Sequence, residues 1–126
     1  MSGPGCEPVF IISVAARLLE MHPQTLRKYE REGLVAPSRT IGKFRLYSDE
    51  DLRRLRQVKY LVGEQGLNLA GVQLVLDATR RLQALQEWVG AEAGNSANPN
   101  VQRIENELKA LMKMLGAGET KGEGSS

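Results

Sequence analysis

"HPQTLRKYEREGLVAP", residues 22–37, is the stretch on which the reading of this chain turns. Pro23 suits a first helical position, where its missing N–H is not needed and its fixed φ is already helical. Gly33 supplies the left-handed conformation that ends a helix, and Leu34 can pack back on the last turn. A short helix from Pro23 to near Glu32 follows. On it Gln24, Thr25, Arg27, Lys28 and Arg31 share an outward arc, while Leu26 and Tyr29 turn inward. A helix with so basic an outer arc raises the question of what it faces.

Just upstream, Ser13 is placed to cap a helix running to about Met21, with Val14, Leu18 and either Ala15 or Leu19 turned inward. Two short helices joined by a tight turn make a helix-turn-helix. Downstream, "VAPSRTIGKFRLYS", residues 35–48, changes period. A proline, a glycine at a plausible turn, and the alternation of Lys43, Arg45 and Tyr47 with Phe44 and Leu46 predict a small two-stranded wing. Ser48 and Asp51 then form a capping box, opening a helix whose stripe is Leu52, Leu55, Val58 and Val62. It stops near Gly63 or Gly66. Asn68 caps the next helix, with Leu69, Val72, Val75 and Leu76 inward.

Beyond residue 78 the apolar positions thin to Leu82, Leu85 and Val89. "GAEAGNSANP", residues 90–99, reads as an interruption, after which Val101, Ile104, Leu108, Leu111 and Leu115 resume at steps of three and four. So narrow a seam generally needs a partner, so residues 79–115 are expected to dimerise as a helix or coiled coil. The alternative is that the stripe folds back on the same chain. Residues 1–9, with Gly3, Pro4, Gly5 and Pro8, and the Gly-rich residues 116–126 read as flexible ends.

A chain of 126 residues holds one small domain with an appendage. Its sparse aromatics, 5%, and Leu/Val/Ala-rich core favour a mainly α fold. The net charge of +2 hides an asymmetry: residues 1–60 carry 11 Lys/Arg against 7 Asp/Glu, and residues 61–126 carry 6 against 8. The basic half suits an anionic partner. One cysteine, Cys6, rules out an intrachain disulfide and fits a reducing compartment. No apolar run approaches a membrane span and no signal peptide is visible, so a cytoplasmic location is expected. No phosphate loop, nucleophile–base pair or metal-ligand spacing appears, and His22 is a lone turn histidine. Neither catalysis nor a cofactor or metal is expected.

A basic helix followed within a dozen residues by a basic wing is the order of elements that puts a helix in the major groove and a hairpin on the flanking backbone. Double-stranded DNA is therefore the expected partner, with Arg39, Lys43 and Arg45 on the wing. Tyr29 and Tyr47 are expected to pack their rings on the domain while their hydroxyls reach phosphates. A competing reading is a protein-interaction adaptor that uses the stripe from Val101 to Leu115.

The run "QTLRKYEREGLVAP" (24–37), then "RTIGKFRLYSDEDL" (39–52), then "GLNLAGV" (66–72) resembles the MerR family of winged helix-turn-helix regulators, over residues 11–76. That resemblance implies a DNA-binding domain over residues 10–78 and a homodimer joined by a helical coil, on an inverted-repeat operator. It implies base-edge contacts from Gln24, Thr25 and Lys28. Phosphate contacts would come from Arg27 and Tyr29, and wing contacts from Arg39, Lys43, Arg45 and Tyr47. Within the family the likeness is greatest to the heat-shock repressors. This implies repression of chaperone operons with the Hsp70 chaperone DnaK as co-repressor; regulation of another stress regulon, by temperature or an unknown effector, is the alternative. Cysteines at the dimer coil, which metal-sensing members carry, are missing here.

Overall fold

The computed structural model describes residues 9–39, 44–93 and 98–118, with only the backbone of Arg39 and Ala93. Cys6, Lys43, residues 94–97 of the 90–99 break and the end of the tail lie outside the described residues. The elements run β1 (Val9–Ile11), α1 (Ile12–Leu19), α2 (Pro23–Arg31), β2 (Ser38–Arg39), β3 (Arg45–Ser48), α3 (Asp49–Lys59), a π-helical turn (Tyr60–Glu64), α4 (Leu69–Ala93) and α5 (Pro99–Met114). The chain is mainly helical and divides into two compact units, residues 1–59 and 60–126.

In the first unit α1 packs on α2, α3 and β3. Its core is Ala15, Ala16, Leu19, Leu26, Tyr29, Leu34, Val35, Tyr47, Leu52, Leu55 and Val58. The inward face of α1 differs from the expected one: Leu18 is 48% exposed, while Ala15, Ala16 and Leu19 are buried. Two alanines in succession are small enough for neighbouring elements to approach closely, and Leu19 then takes the inward place on the next turn. Nor does Ser13 cap the helix. The N-cap is Ile11, without a side-chain bond, because β1 runs straight into α1 and fixes the entry of the chain.

Strand β1 was not legible as a strand, and it makes the expected two-stranded wing a three-stranded antiparallel sheet in the order β1-β3-β2. Val9 pairs with Ser48, Phe10 with Tyr47 and Ile11 with Leu46, while Ser38 pairs with Leu46 and Arg39 with Arg45. Alternation puts Tyr47 on the inner face and leaves Val9 and Ile11 on the outer one. The Ser48–Asp51 capping box is present in both directions: Asp51 N–H donates to Ser48 Oγ at 3.1 Å and Ser48 N–H to Asp51 Oδ2 at 2.9 Å.

In the second unit the π-helical turn closes with Gln65 N–H donating to the Tyr60 carbonyl at 3.1 Å. It ends at Gly66, φ 68°. Leu61 rather than Val62 is buried there. Asn68 Oδ1 then caps α4 by accepting from Gly71 N–H at 2.8 Å, and Val72 and Leu76 face the interior. Helix α4 runs unbroken through Gly90 to Ala93, four residues into the stretch expected to be a break. Asn98 caps α5, with Pro99 at its first turn.

The α4–α5 packing is the most extensive between any two elements of the chain. Val89, Leu108 and Met112 are buried, and the short link makes the pair a helical hairpin. Val89 and Leu108, expected in a seam between two chains, thus lie in the interior of one. Leu82, Val101 and Leu115 are half-buried, and Leu85, Ile104 and Leu111 are exposed. At the end of α5 Gly116 has φ 84°, and a Cβ there would meet the Tyr60 ring at 2.5 Å, so only glycine fits.

Candidate nucleic-acid interface

Helix α2 is built for presentation. Its N-terminus is capped by His22, whose Nδ1 accepts from Gln24 N–H at 3.1 Å, with Pro23 following. Its C-terminus ends as the sequence suggested. Leu34 N–H donates to the Tyr29 carbonyl at 2.9 Å and Gly33 N–H to that of Glu30 at 3.0 Å, with Gly33 at φ 80°. These two bonds form a Schellman motif. Arg54 of α3 pins the exit by donating its Nε–H to the Leu34 carbonyl at 2.6 Å. Lys59 donates its ammonium to the Leu19 carbonyl at 2.9 Å, fixing the end of α1.

Between those anchors Leu26 and Tyr29 are buried, and Gln24, Lys28 and Arg31 are exposed, with Thr25 and Arg27 half-buried along the same arc. Arg27 Nη1 donates to Gln24 Oε1 at 3.2 Å, so a cation expected at the backbone braces an amide expected at base edges. Tyr29 presents little of itself. Burial pushes its phenol above the usual tyrosine value, so the hydroxyl stays neutral and able to donate.

The wing brings Arg45 to this helix rather than leaving it free. Arg45 Nε–H donates to Glu30 Oε1 at 2.5 Å, joining β3 to α2 with side chains 28% and 19% exposed. The Arg45 guanidinium is held above its ordinary value, first by that hydrogen bond. The register sets Arg39 directly opposite Arg45 on β2. Lys43 lies outside the described residues.

Tyr47 does not stand at this surface. It is 0% exposed, and its hydroxyl is buried without a hydrogen-bond partner. The alternation of β3 turns position 47 toward the core, so in this arrangement its oxygen is not offered to a phosphate. Burial raises its phenol, the Glu30 charge adds to that, and Arg45 and Arg27 oppose it. Glu30, which ties the wing to α2, is the residue of this surface that sequence reasoning passed over. One signal was available: a carboxylate in the last turn of a helix opposes the helix dipole and so calls for a cationic partner.

Among the described residues no group of His, Cys, Asp and Glu is arranged to hold a metal ion, and no helix is long and apolar enough to cross a membrane. A basic, capped second helix beside a sheet wing, with the first helix behind it, defines a winged helix-turn-helix DNA-binding protein. Residues 10–79 match the family described as MerR HTH family regulatory protein, and the chain belongs to that family.

A Streptomyces coelicolor protein bearing the heat shock protein name HspR is 49% identical over 79 residues, 63% of this chain and 52% of that one. The HTH-type transcriptional regulator GlnR of Bacillus cereus is 41% identical over 69 residues, 55% of this chain and 53% of that one. The HTH-type transcriptional repressor CarH of Myxococcus xanthus is 33% identical over 98 residues, 76% of this chain and 30% of that one. The matches span about half the length of the first two relatives. GlnR and CarH are named as transcription regulators. This chain is accordingly a DNA-binding transcriptional regulator of the MerR family, similar to HspR.

Proposed function

We propose that the chain represses chaperone genes from within the bacterial cytoplasm, binding an inverted-repeat operator as a homodimer with DnaK as co-repressor. The observation that carries the heat-shock reading is the 49% identity to the protein named HspR. Base reading is assigned to Gln24, Thr25 and Lys28, which α2 carries on its open arc. Backbone grip is assigned to Arg27, Tyr29, Arg39, Lys43 and Arg45.

The dimer is supported by what one chain leaves uncovered. Leu85 and Trp88 on α4 and Ile104, Leu111 and Met114 on α5 are exposed although the hairpin has already closed on Val89, Leu108 and Met112. Large apolar side chains in such numbers on a small unit mark a surface that another protein covers. A dimer also converts weak half-site binding into avid binding across two half-sites.

Footprinting on DNA upstream of the host's chaperone operon, in excess competitor and with and without DnaK, tests the proposal. Two symmetric protected half-sites that strengthen with DnaK are expected. Absence of protection in both conditions removes the heat-shock assignment, and protection indifferent to DnaK removes the co-repressor.

A further inference from the structure

The Glu30–Arg45 pair is out of place on a surface meant for phosphate. A carboxylate on a DNA-binding helix repels the duplex, and removing it should, on charge alone, tighten binding. Yet Glu30 is mostly covered and reaches from α2 to β3 to take the Nε–H of Arg45. Arg45 is itself paired in register with Arg39 of β2, so a bond that fixes Arg45 also fixes the end of the β2–β3 ladder. A grip on Nε leaves the two terminal nitrogens of the guanidinium outside that bond, and they are the fork that meets phosphate oxygens. Tyr47, two residues along β3 on the same face as Arg45, is fully buried, so the strand that carries Arg45 is anchored in the core.

We propose that Glu30 is a positioning residue for sequence recognition: by holding Arg45 through Nε it fixes the wing against helix α2, so that phosphate contact and base reading occur in one register. The proposal rests on the assignment of α2 and the wing to DNA. In this scheme Glu30 touches no DNA, and its effect on recognition runs through Arg45. Since a displaced wing shifts the helix relative to base edges, its loss should be felt on a preferred sequence and hardly at all on arbitrary DNA, where register is immaterial.

The test uses the full chain and two duplexes of equal length: one enriched from a random-sequence pool by the wild-type protein, and one of random sequence. Dissociation constants are read by fluorescence anisotropy, with thermal unfolding recorded for each variant. Glu30→Met should weaken binding to the enriched duplex by about tenfold, the scale of one lost base-reading contact. Its binding to random DNA should hold or tighten. Glu30→Gln keeps an oxygen that can accept from Arg45 and should recover most of the loss, and in an Arg45→Met background Glu30→Met should have no further effect. Tighter binding to both duplexes would reduce Glu30 to an adverse charge, and equal weakening on both would reduce it to scaffold. An undiminished loss in the Arg45→Met background would show that it does not act through Arg45. If Glu30→Met is unfolded at the assay temperature, Glu30→Gln against Glu30→Asp carries the comparison, and a variant loss confined to the enriched duplex is again required. A wild-type protein that enriches no sequence would overturn both this proposal and the assignment of α2 beneath it.

Discussion

The unit ending at Lys59 and the unit beginning at Tyr60 solve the same problem, burying a small amount of apolar surface, in opposite ways. In the first, helices and sheet enclose a shared core, and what faces outward on α2 is charged or polar apart from the helix's own anchors. In the second, two helices form a hairpin that closes over only part of its apolar surface, and Trp88 stays 64% exposed. The contrast separates a module whose α2 face is polar from one whose two helices leave large apolar side chains uncovered, the surface on which the proposed dimer rests. A substitution should therefore read out as stability in the first unit and as association in the second.

The largest effect expected lies on that division. Leu26→Ala, at a fully buried position under α2, should destabilise the first unit by about 2–5 kcal/mol. Urea unfolding followed by circular dichroism would measure it. Leu85→Ala should change unfolding of the dilute protein by under about 0.5 kcal/mol, as exposed sites do, while weakening self-association. The single tryptophan reports directly: Trp88 emission should shift to the blue as concentration rises, and Leu85→Ala should move that transition to higher concentration. An emission maximum that stays constant across concentration would erase the contrast, leaving the hairpin complete on its own.

Next in size is the division of labour within the first unit. Lys28→Ala should cost about 1–3 kcal/mol on a preferred sequence and much less on random DNA, whereas Arg45→Ala should weaken both. Competition binding at fixed salt measures each, and salt must be fixed because every phosphate contact carries its own salt dependence. Equal losses for both variants on both duplexes would refute the split between reading and gripping.

What was legible beforehand follows the same boundary. The bounds of α2, the Ser48–Asp51 box, the Asn68 cap and the exposed arc from Gln24 to Arg31 are local matters, settled within three or four residues, and the sequence carries them openly. The features that escaped notice each needed a distant partner. Strand β1 exists because Phe10 finds Tyr47, and Glu30 matters because Arg45 arrives from another element. The inward turn of Val89 and Leu108 depends on α5 folding back, a choice that heptad spacing leaves open because the same stripe can serve one chain or two. Tyr47 is the instructive case at the site: alternation put it on one face of the wing, but only the third strand and the helices decided that this face is closed.

Tyr47→Phe tests that closure and should be the gentler change. Removing a buried hydroxyl that has no partner should be neutral or stabilise by up to about 1–2 kcal/mol, the desolvation cost of an unmet polar group. DNA affinity should stay as it was; a clear loss would show that the hydroxyl reaches phosphate after all. Burial raises the phenols of both Tyr29 and Tyr47, so the folded state holds their protons longer than the unfolded chain does. Their stabilising difference is fully present below the free tyrosine value of about 10 and is lost as pH climbs above it. Alkaline unfolding followed above that pH should thus shift upward in Tyr47→Phe.

The smallest effects set the two ends of the helix-turn-helix against each other. Glu20 sits at φ 56° where α1 stops, with Met21 N–H donating to the Ala16 carbonyl at 2.9 Å, so it occupies the left-handed position that Gly33 fills at the end of α2. A side chain there costs roughly 1–2 kcal/mol, and a carboxylate at a helix C-terminus is also on the wrong end of the dipole. Glycine relieves both but frees the unfolded chain, so Glu20→Gly should stabilise by a net of about 0.5–1 kcal/mol. Gly33→Ala should do the reverse by about 1 kcal/mol, through strain alone, since nothing lies within 4 Å of the added Cβ. Differential scanning calorimetry should find the two shifts opposite in sign, each of several degrees, about 4–8 °C per kcal/mol for a unit of this size. If both variants lose stability, the Glu20 side chain is holding the turn by a contact of its own, and the turn between α1 and α2 is set by side-chain chemistry rather than by backbone preference.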